Sequence, residues 1–203
     1  MTHVTRLNLC HVSWVVCHVP MYHSGNQLVD SHLVLEKAHV RPGMHMADLG
    51  CGRTGHIVFP AAAAIGEQGV VYAVDIMKDV LENINKRAGL EGFLNIHTVW
   101  ADIERHGAVA IPEKSLDLTI FVNSLFHAKD VSTMLNEANR LLKDKARLVI
   151  VDWKAHGLPF GPRADELLDF IQAKSWAIAH NFVIQDEFEV GRYHQGIVLY
   201  KHE

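Results

Sequence analysis

Cysteine is scarce. Cys10, Cys17 and Cys51 are the whole set in 203 residues, and so odd and sparse a set gives no disulfide framework and fits a reducing cytoplasm. No apolar run approaches the ~20 residues that a membrane span requires. The apolar stretch 58–65 is short and alanine-rich and reads as a buried helix face. The stretch 12–19 is broken by Ser13 and His18 and lacks a basic leader and a small-residue cleavage site, which argues against a signal peptide. Runs of Lys and Arg are also missing, and the net charge is −4 with 15 His counted as neutral. Electrostatics therefore disfavours a dedicated nucleic-acid binder.

What is present suits one globular domain. The apolar fraction is 49% and the charged fraction 21%, and a chain of this length removes roughly 70% of its unfolded surface on folding. Residues 1–25 stand apart as an N-terminal arm, and the domain proper is expected over 26–203. The arm holds His3, His11, His18 and His23, no acidic residue, and Cys-His-Val twice, at 10–12 and 17–19. Adjacent Cys-His pairs chelate poorly because neighbouring side chains diverge, so no metal site is expected. With Trp14 followed by Val15 and Val16, the arm is a candidate cover for a pocket or a contact to a second copy in a homodimer.

From Gly25 onward the periodicity becomes regular. It predicts a helix over 26–39, a turn at Arg41-Pro42-Gly43, a strand over 44–49 and a helix over 57–65. A strand follows at 70–75, then a helix over 77–88 capped by Gly89. Strands are predicted over 95–100 and 116–122, a helix over 131–143, a strand over 147–153 and a long helix over 164–182. Strands 183–189 and 193–201 close the chain around Gly191-Arg192. Five β–α units ending on a hairpin imply an α/β, Rossmann-like fold. Its seven-stranded sheet is mostly parallel, with an antiparallel last strand and helices on both faces.

The strongest local signal is Ala47-Asp48-Leu49-Gly50-Cys51-Gly52-Arg53-Thr54-Gly55, where a strand meets a helix. Glycines there let the backbone approach a ligand and take conformations that a Cβ forbids. Alone, Gly-x-Gly-x-x-Gly serves a dinucleotide pyrophosphate as well as a methyl donor. Asp48, just before the first glycine, opposes a pyrophosphate but suits the ammonium and sulfonium charges of S-adenosylmethionine. Asp75 ends the second strand, where a carboxylate can accept both ribose hydroxyls. Asp102 follows the third strand, where it can accept from an adenine amino group or simply cap the next turn. Acids at three consecutive strand ends line the crevice where open α/β sheets bind ligands.

With these motifs, residues 40–155 resemble the class I methyltransferase fold, and most closely the small ubiquinone/menaquinone-biosynthesis methyltransferases. Further residues carrying the likeness are Val71-Tyr72-Ala73-Val74-Asp75-Ile76, Trp100-Ala101-Asp102, Asn123-Ser124-Leu125-Phe126-His127, Glu137-Ala138-Asn139-Arg140-Leu141-Leu142-Lys143 and Val149-Ile150-Val151-Asp152-Trp153-Lys154. The sequence departs from that family in one place: its third glycine comes one residue late, after Arg53-Thr54. Arg53 can then meet the donor's carboxylate or point to solvent.

The resemblance implies S-adenosylmethionine as cofactor. The contacting set would be Asp48, Gly50, Cys51, Gly52, Gly55, Asp75, Ile76, Ala101, Asp102, Ile103 and Asn123. It further implies that Asp48 anchors the amino-acid end, Asp75 the ribose, Ile76 the adenine face and Asn123 the ammonium. Methyl transfer from a sulfonium is an in-line displacement in which alignment supplies much of the rate. A base matters when the acceptor is a hydroxyl, a carbon acid or a protonated amine. His127 is the candidate for that role, with His156 and His194 behind it. Phe126, Trp153, Lys154 and Tyr193 are candidate pocket walls. With no basic stripe and no cysteine after position 51, a small-molecule acceptor is expected and thiophilic metalloid chemistry is not. An NAD(P)-dependent oxidoreductase and a non-catalytic binding module are the competing readings.

Overall fold

The computed structural model describes residues 28–154 and 161–203. The N-terminal arm and His156 lie outside them. Seven strands form one sheet in the order β3-β2-β1-β4-β5-β7-β6. β1 (His45–Leu49), β2 (Val70–Asp75), β3 (Ile96–Trp100), β4 (Leu116–Val122) and β5 (Leu142–Trp153) run parallel. β7 (His194–Lys201) slots between β5 and β6 (Phe182–Val190), antiparallel to both. The expected Rossmann-like sheet with its reversed last strand is what the chain adopts.

Each sheet face carries its own apolar core. One unites Met46, Val71, Ile120, Val149 and Val198 with α1 (Ser31–Lys37), α2 (Val58–Ile65) and α3 (Lys78–Glu91). The other unites Leu49, Phe121, Ile150 and Leu199 with α4 (Val131–Leu141) and α5 (Phe170–Ala179). Alternation along each strand sends successive side chains to opposite cores. Because both faces are covered, the central strands are apolar almost throughout.

Several boundaries differ from the sequence expectation. α1 starts at Ser31 because the Asp30 carboxylate accepts from the N–H groups of His32 and Leu33, at 2.9 and 3.2 Å. Gly89 does not cap α3. The helix runs through it to Glu91, and Gly92 ends it in the left-handed region at φ +78°. The long helix over 164–182 is broken. A 3₁₀ turn at Ala164–Glu166 is followed by α5, whose start is fixed by Asp169 accepting from Ile171 and Gln172. α4 stops at Leu141, and Leu142 already pairs with Leu116 in the sheet. No helix fills the connection 101–115, so β3 and β4 are joined by loop alone. No helix among the described residues is long and apolar enough to cross a membrane.

Candidate functional site

The carboxyl ends of β1, β2 and β4 meet at the switch point of the strand order, where neighbouring connections leave on opposite faces and open a crevice. At β1 the chain turns sharply. Gly50 has φ +87°, and a Cβ there would lie 2.9 Å from the Cβ of Ser124. The Val74 carbonyl accepts the N–H groups of both Gly50 and Cys51, at 2.9 and 3.0 Å. Ser124 Oγ donates to the Leu49 carbonyl at 3.2 Å. This turn is thus pinned from β2 on one side and from the loop after β4 on the other.

Asp75 fastens the next part of the loop. Its Oδ2 accepts from Gly52 N–H at 3.1 Å and its Oδ1 from Met77 N–H at 2.9 Å. A carboxylate offers about four lone-pair sites, so each oxygen keeps capacity for a further donor. Gly55 has a different task from Gly50. At φ +57°, a Cβ there would stand 2.6 Å from Ile84 Cδ1 and 2.8 Å from Phe59 Cε2. The late third glycine lets the lengthened loop press against α2 and α3. Of its two expected placements Arg53 takes the solvent-facing one; it is exposed, and its guanidinium holds Asp79 on α3 at 2.6 Å.

Asp48 is buried beneath this turn, and its Oδ1 has no hydrogen-bond partner among the described residues. Burial, with Asp75 adding repulsion, pushes its carboxyl up to about 7. Cys51 is buried beside it, and desolvation together with the two carboxylates pushes its thiol far up. A thiol so placed is a filler, not a nucleophile.

A cleft of about 150 Å³ opens next to the turn, lined by Gly50, Asp75, Ile76, Ala101, Asp102, Ile103, Glu104, Ser124, His127 and Met134. Seven of the residues singled out from the sequence therefore share one cavity. Asp102 lines the cleft, and its Oδ1 caps the local turn, one of its two expected roles, by accepting from Glu104 N–H at 3.1 Å. Ile76 is 56% exposed at the rim, beside Trp100, whose indole N–H donates to the Ile76 carbonyl at 2.8 Å. Asn123 follows β4 in the left-handed region at φ +53°, its N–H held by the Val151 carbonyl at 2.9 Å. Asp48, Cys51, Gly52, Gly55 and Asn123 do not line it.

His127 ends the 3₁₀ turn Leu125–His127 with its ring 3.7 Å from that of Phe126. Desolvation lowers its imidazole pKa, and Glu166 works against that shift.

The sequence reading missed Ser124, Glu104 and Met134, which reach the cleft from loops and from α4. It also missed the support given by Asp152. That carboxylate is fully buried and accepts from Trp153 N–H at 2.8 Å and Phe126 N–H at 3.3 Å. It thereby holds the turn that carries His127, and burial pushes it up to about 7 despite those donors. Glu137, equally buried, clamps the 101–115 loop. It accepts from Gly107 and Val109 N–H at 2.7 and 3.0 Å and pairs with Arg140 at 2.6 Å. The signal was an acidic residue inside an apolar strand for Asp152, and one on the apolar helix face of Met134, Ala138 and Leu141 for Glu137.

The arrangement is acidic and backbone-rich. It can accept hydroxyl, amino and cationic groups, and it opposes a phosphate. Among the described residues no cluster of His, Cys, Asp and Glu could hold a metal ion.

Comparison with known proteins agrees with this geometry. A family model described as a methyltransferase domain matches residues 41–191. The chain is 32% identical over 122 residues to aklanonic acid methyltransferase of Streptomyces sp. strain C5, covering 59% of this chain and 54% of that protein. It is 31% identical over 127 residues to demethylmenaquinone methyltransferase of Lactococcus lactis, covering 62% and 48%. The chain spans about half the length of these relatives. A crystal structure of a SAM dependent methyltransferase from Aquifex aeolicus superposes with a TM-score of 0.76 over 88% of this chain and 93% of that one. At 22% identity, that likeness speaks for the fold.

Proposed function

This chain belongs to the methyltransferase-domain family, and from that premise we propose that it transfers the methyl group of S-adenosylmethionine to a small-molecule acceptor. The observation that carries the reading is the buried, unpaired Oδ1 of Asp48 under a glycine turn that leaves no room for a Cβ. A buried polar atom without a partner is rare and calls for an explanation. A cationic ligand at the mouth of β1 supplies one. The same carboxylate argues against the pyrophosphate of a nicotinamide cofactor.

When bound, the donor supplies a methyl group already activated by its sulfonium, so the protein's share is binding, alignment and exclusion of water. Asp48 provides negative charge at the amino-acid end. Asp75 offers its spare lone pairs to the ribose hydroxyls. Ile76, Ile103 and Met134 give the adenine apolar walls, and Asp102 accepts from its amino group. Gly50 and Gly52 keep the backbone bare where the donor passes. His127 lines the same cleft and serves as part of its wall, facing the adenosyl end.

Two grounds favour a small-molecule acceptor. The relatives' names specify such acceptors, and the chain, at net charge −4 with no basic run, lacks the charge pattern that favours a polyanion. A second copy of the chain and a cytoplasmic setting remain part of the proposal.

Isothermal titration with S-adenosylhomocysteine tests the reading. Saturable heat is expected from the wild type. Asp75→Ala should weaken binding by about a hundredfold, since hydrogen bonds to a charged group are worth roughly 1.5–3 kcal/mol each. No heat and no thermal shift with either the donor or its demethylated product would overturn it.

A further inference from the structure

The glycine turn after β1 is one residue longer than in the family the chain resembles, and the extra length falls between Gly52 and Gly55. A longer loop has more conformational freedom to lose. The helix it feeds, α2, has no side-chain cap at Ile57. Residues 52–55 are therefore fixed by other contacts. Gly52 and Gly55 both take the left-handed region, at φ +63° and +57°, and Gly55 N–H donates back to the Gly52 carbonyl at 3.3 Å.

Arg87 reaches this loop from α3. Its Nη1 donates to the Thr54 carbonyl at 3.0 Å. The guanidinium carbon lies 3.8 Å from the centre of the Phe59 ring, the same ring that presses on Gly55. Glu91, one helical turn on, takes the Nε–H at 2.7 Å. A guanidinium is planar and carries five N–H donors, so it can stack on the ring, pair with the carboxylate and still spare a donor for the loop.

Hydrogen bonds then run in series from α3 to the cleft. The Thr54 carbonyl and the Gly55 N–H belong to one peptide group, so Arg87 holds the group that holds the Gly52 carbonyl. The N–H of Gly52 donates in turn to Oδ2 of Asp75 at 3.1 Å. Oδ1 is held separately, by Met77 N–H at 2.9 Å. One donor on each oxygen sets the plane of the carboxylate, and Asp75 lines the cleft. Of these two donors, the Gly52 N–H is the one that depends on the lengthened loop.

We propose that Arg87 is a positioning residue for the ribose of the methyl donor: through Thr54 and Gly52 it keeps the Asp75 carboxylate turned to receive the two ribose hydroxyls. The proposal rests on the methyl-donor reading above and deepens it. Arg87 does not line the cleft and touches no part of the donor. It offsets the extra residue in the loop from the outer side.

The test is isothermal titration of the full chain with S-adenosylhomocysteine and with its 2′,3′-dideoxy analogue, which lacks the hydroxyls assigned to Asp75. Arg87→Met keeps an unbranched side chain over Phe59 and removes the guanidinium; Arg87→Lys keeps the charge and a donor. The wild type should bind S-adenosylhomocysteine more tightly than the analogue. Arg87→Met should lose about fivefold for S-adenosylhomocysteine, as one net hydrogen bond allows, and bind the analogue as the wild type does. Arg87→Lys should recover part of that loss. In the ligand-free protein, the Gly52 amide should exchange faster in Arg87→Met, while those of Gly50 and Cys51, held by the Val74 carbonyl, keep their rates. Equal losses for the two ligands would mean that Arg87 supports the fold only, and an unchanged Gly52 amide would mean that the series of bonds transmits nothing; either result overturns the proposal. A wild type that binds no S-adenosylhomocysteine would overturn the methyl-donor reading and this one with it. Wild-type binding with the same ratio of affinities in Arg87→Met would overturn this one alone.

Discussion

Asp48 should make this protein more stable as the pH falls from 8 towards 5, against the usual trend of acid denaturation. In the unfolded chain its carboxyl has the ordinary value of 3.8, and in the folded chain about 7. Between those values the folded protein binds more protons than the unfolded one, so stability declines as pH rises through the window. Above about pH 7 the whole cost of a buried charge is present. At about 1.36 kcal/mol per pH unit, the span corresponds to roughly 4 kcal/mol, a sizeable part of the 5–15 kcal/mol typical of a domain. The comparison that isolates Asp48 is wild type against Asp48→Asn, by urea denaturation at pH 5, 6, 7 and 8. Asp152 tilts both proteins the same way, because burial raises it to about 7 as well. His194, lowered to about 4, tilts both the opposite way below pH 6.5. Their contributions cancel in the difference. The gap between variant and wild type should widen steadily from pH 5 to pH 7 in favour of the variant. Parallel pH curves for the two proteins would refute the argument, because they would show that Asp48 is no harder to ionise in the fold than out of it.

Two further outcomes test the turn and its support. Gly50→Ala forces a Cβ into φ +87° and against Ser124; the backbone term alone costs about 1–2 kcal/mol, so melting temperature and S-adenosylhomocysteine affinity should fall together. Glu137→Ala strips the half-buried Arg140 guanidinium and two loop N–H groups of their shared carboxylate, and should cost about 3 kcal/mol in denaturant titration, with faster amide exchange at Gly107 and Val109.

The parts of this structure legible in the sequence are those set by side-chain periodicity and strand ends. β2 and β4 were bounded correctly because both their faces are buried and polar residues stop them sharply. Asp48, Asp75 and Asp102 could be grouped because parallel strands bring their carboxyl ends to one edge, whatever the loops between them do. Helix ends were less legible, since local hydrogen bonds decide them. Gly89 looks like a stop but has open space around it, with nothing within 4 Å of an added Cβ, so α3 continues until Gly92 turns left-handed. Asp169 lies inside an apolar pattern that reads as unbroken helix, yet its side chain caps α5 and ends whatever precedes it. The site was half legible for the same reason. Glu104 and Met134 reach the cleft through a loop without a helix and through the rotation of α4, neither of which leaves a spacing rule. The state of a polar group is harder still to read. His194 and Asp152 each adjoin a strand end, and no pattern in the chain says that Asp152 is satisfied by backbone donors while the ring nitrogens of His194 have no hydrogen-bond partner among the described residues. That difference exists only after folding, because it depends on which backbone N–H groups the neighbouring loop brings to each strand end.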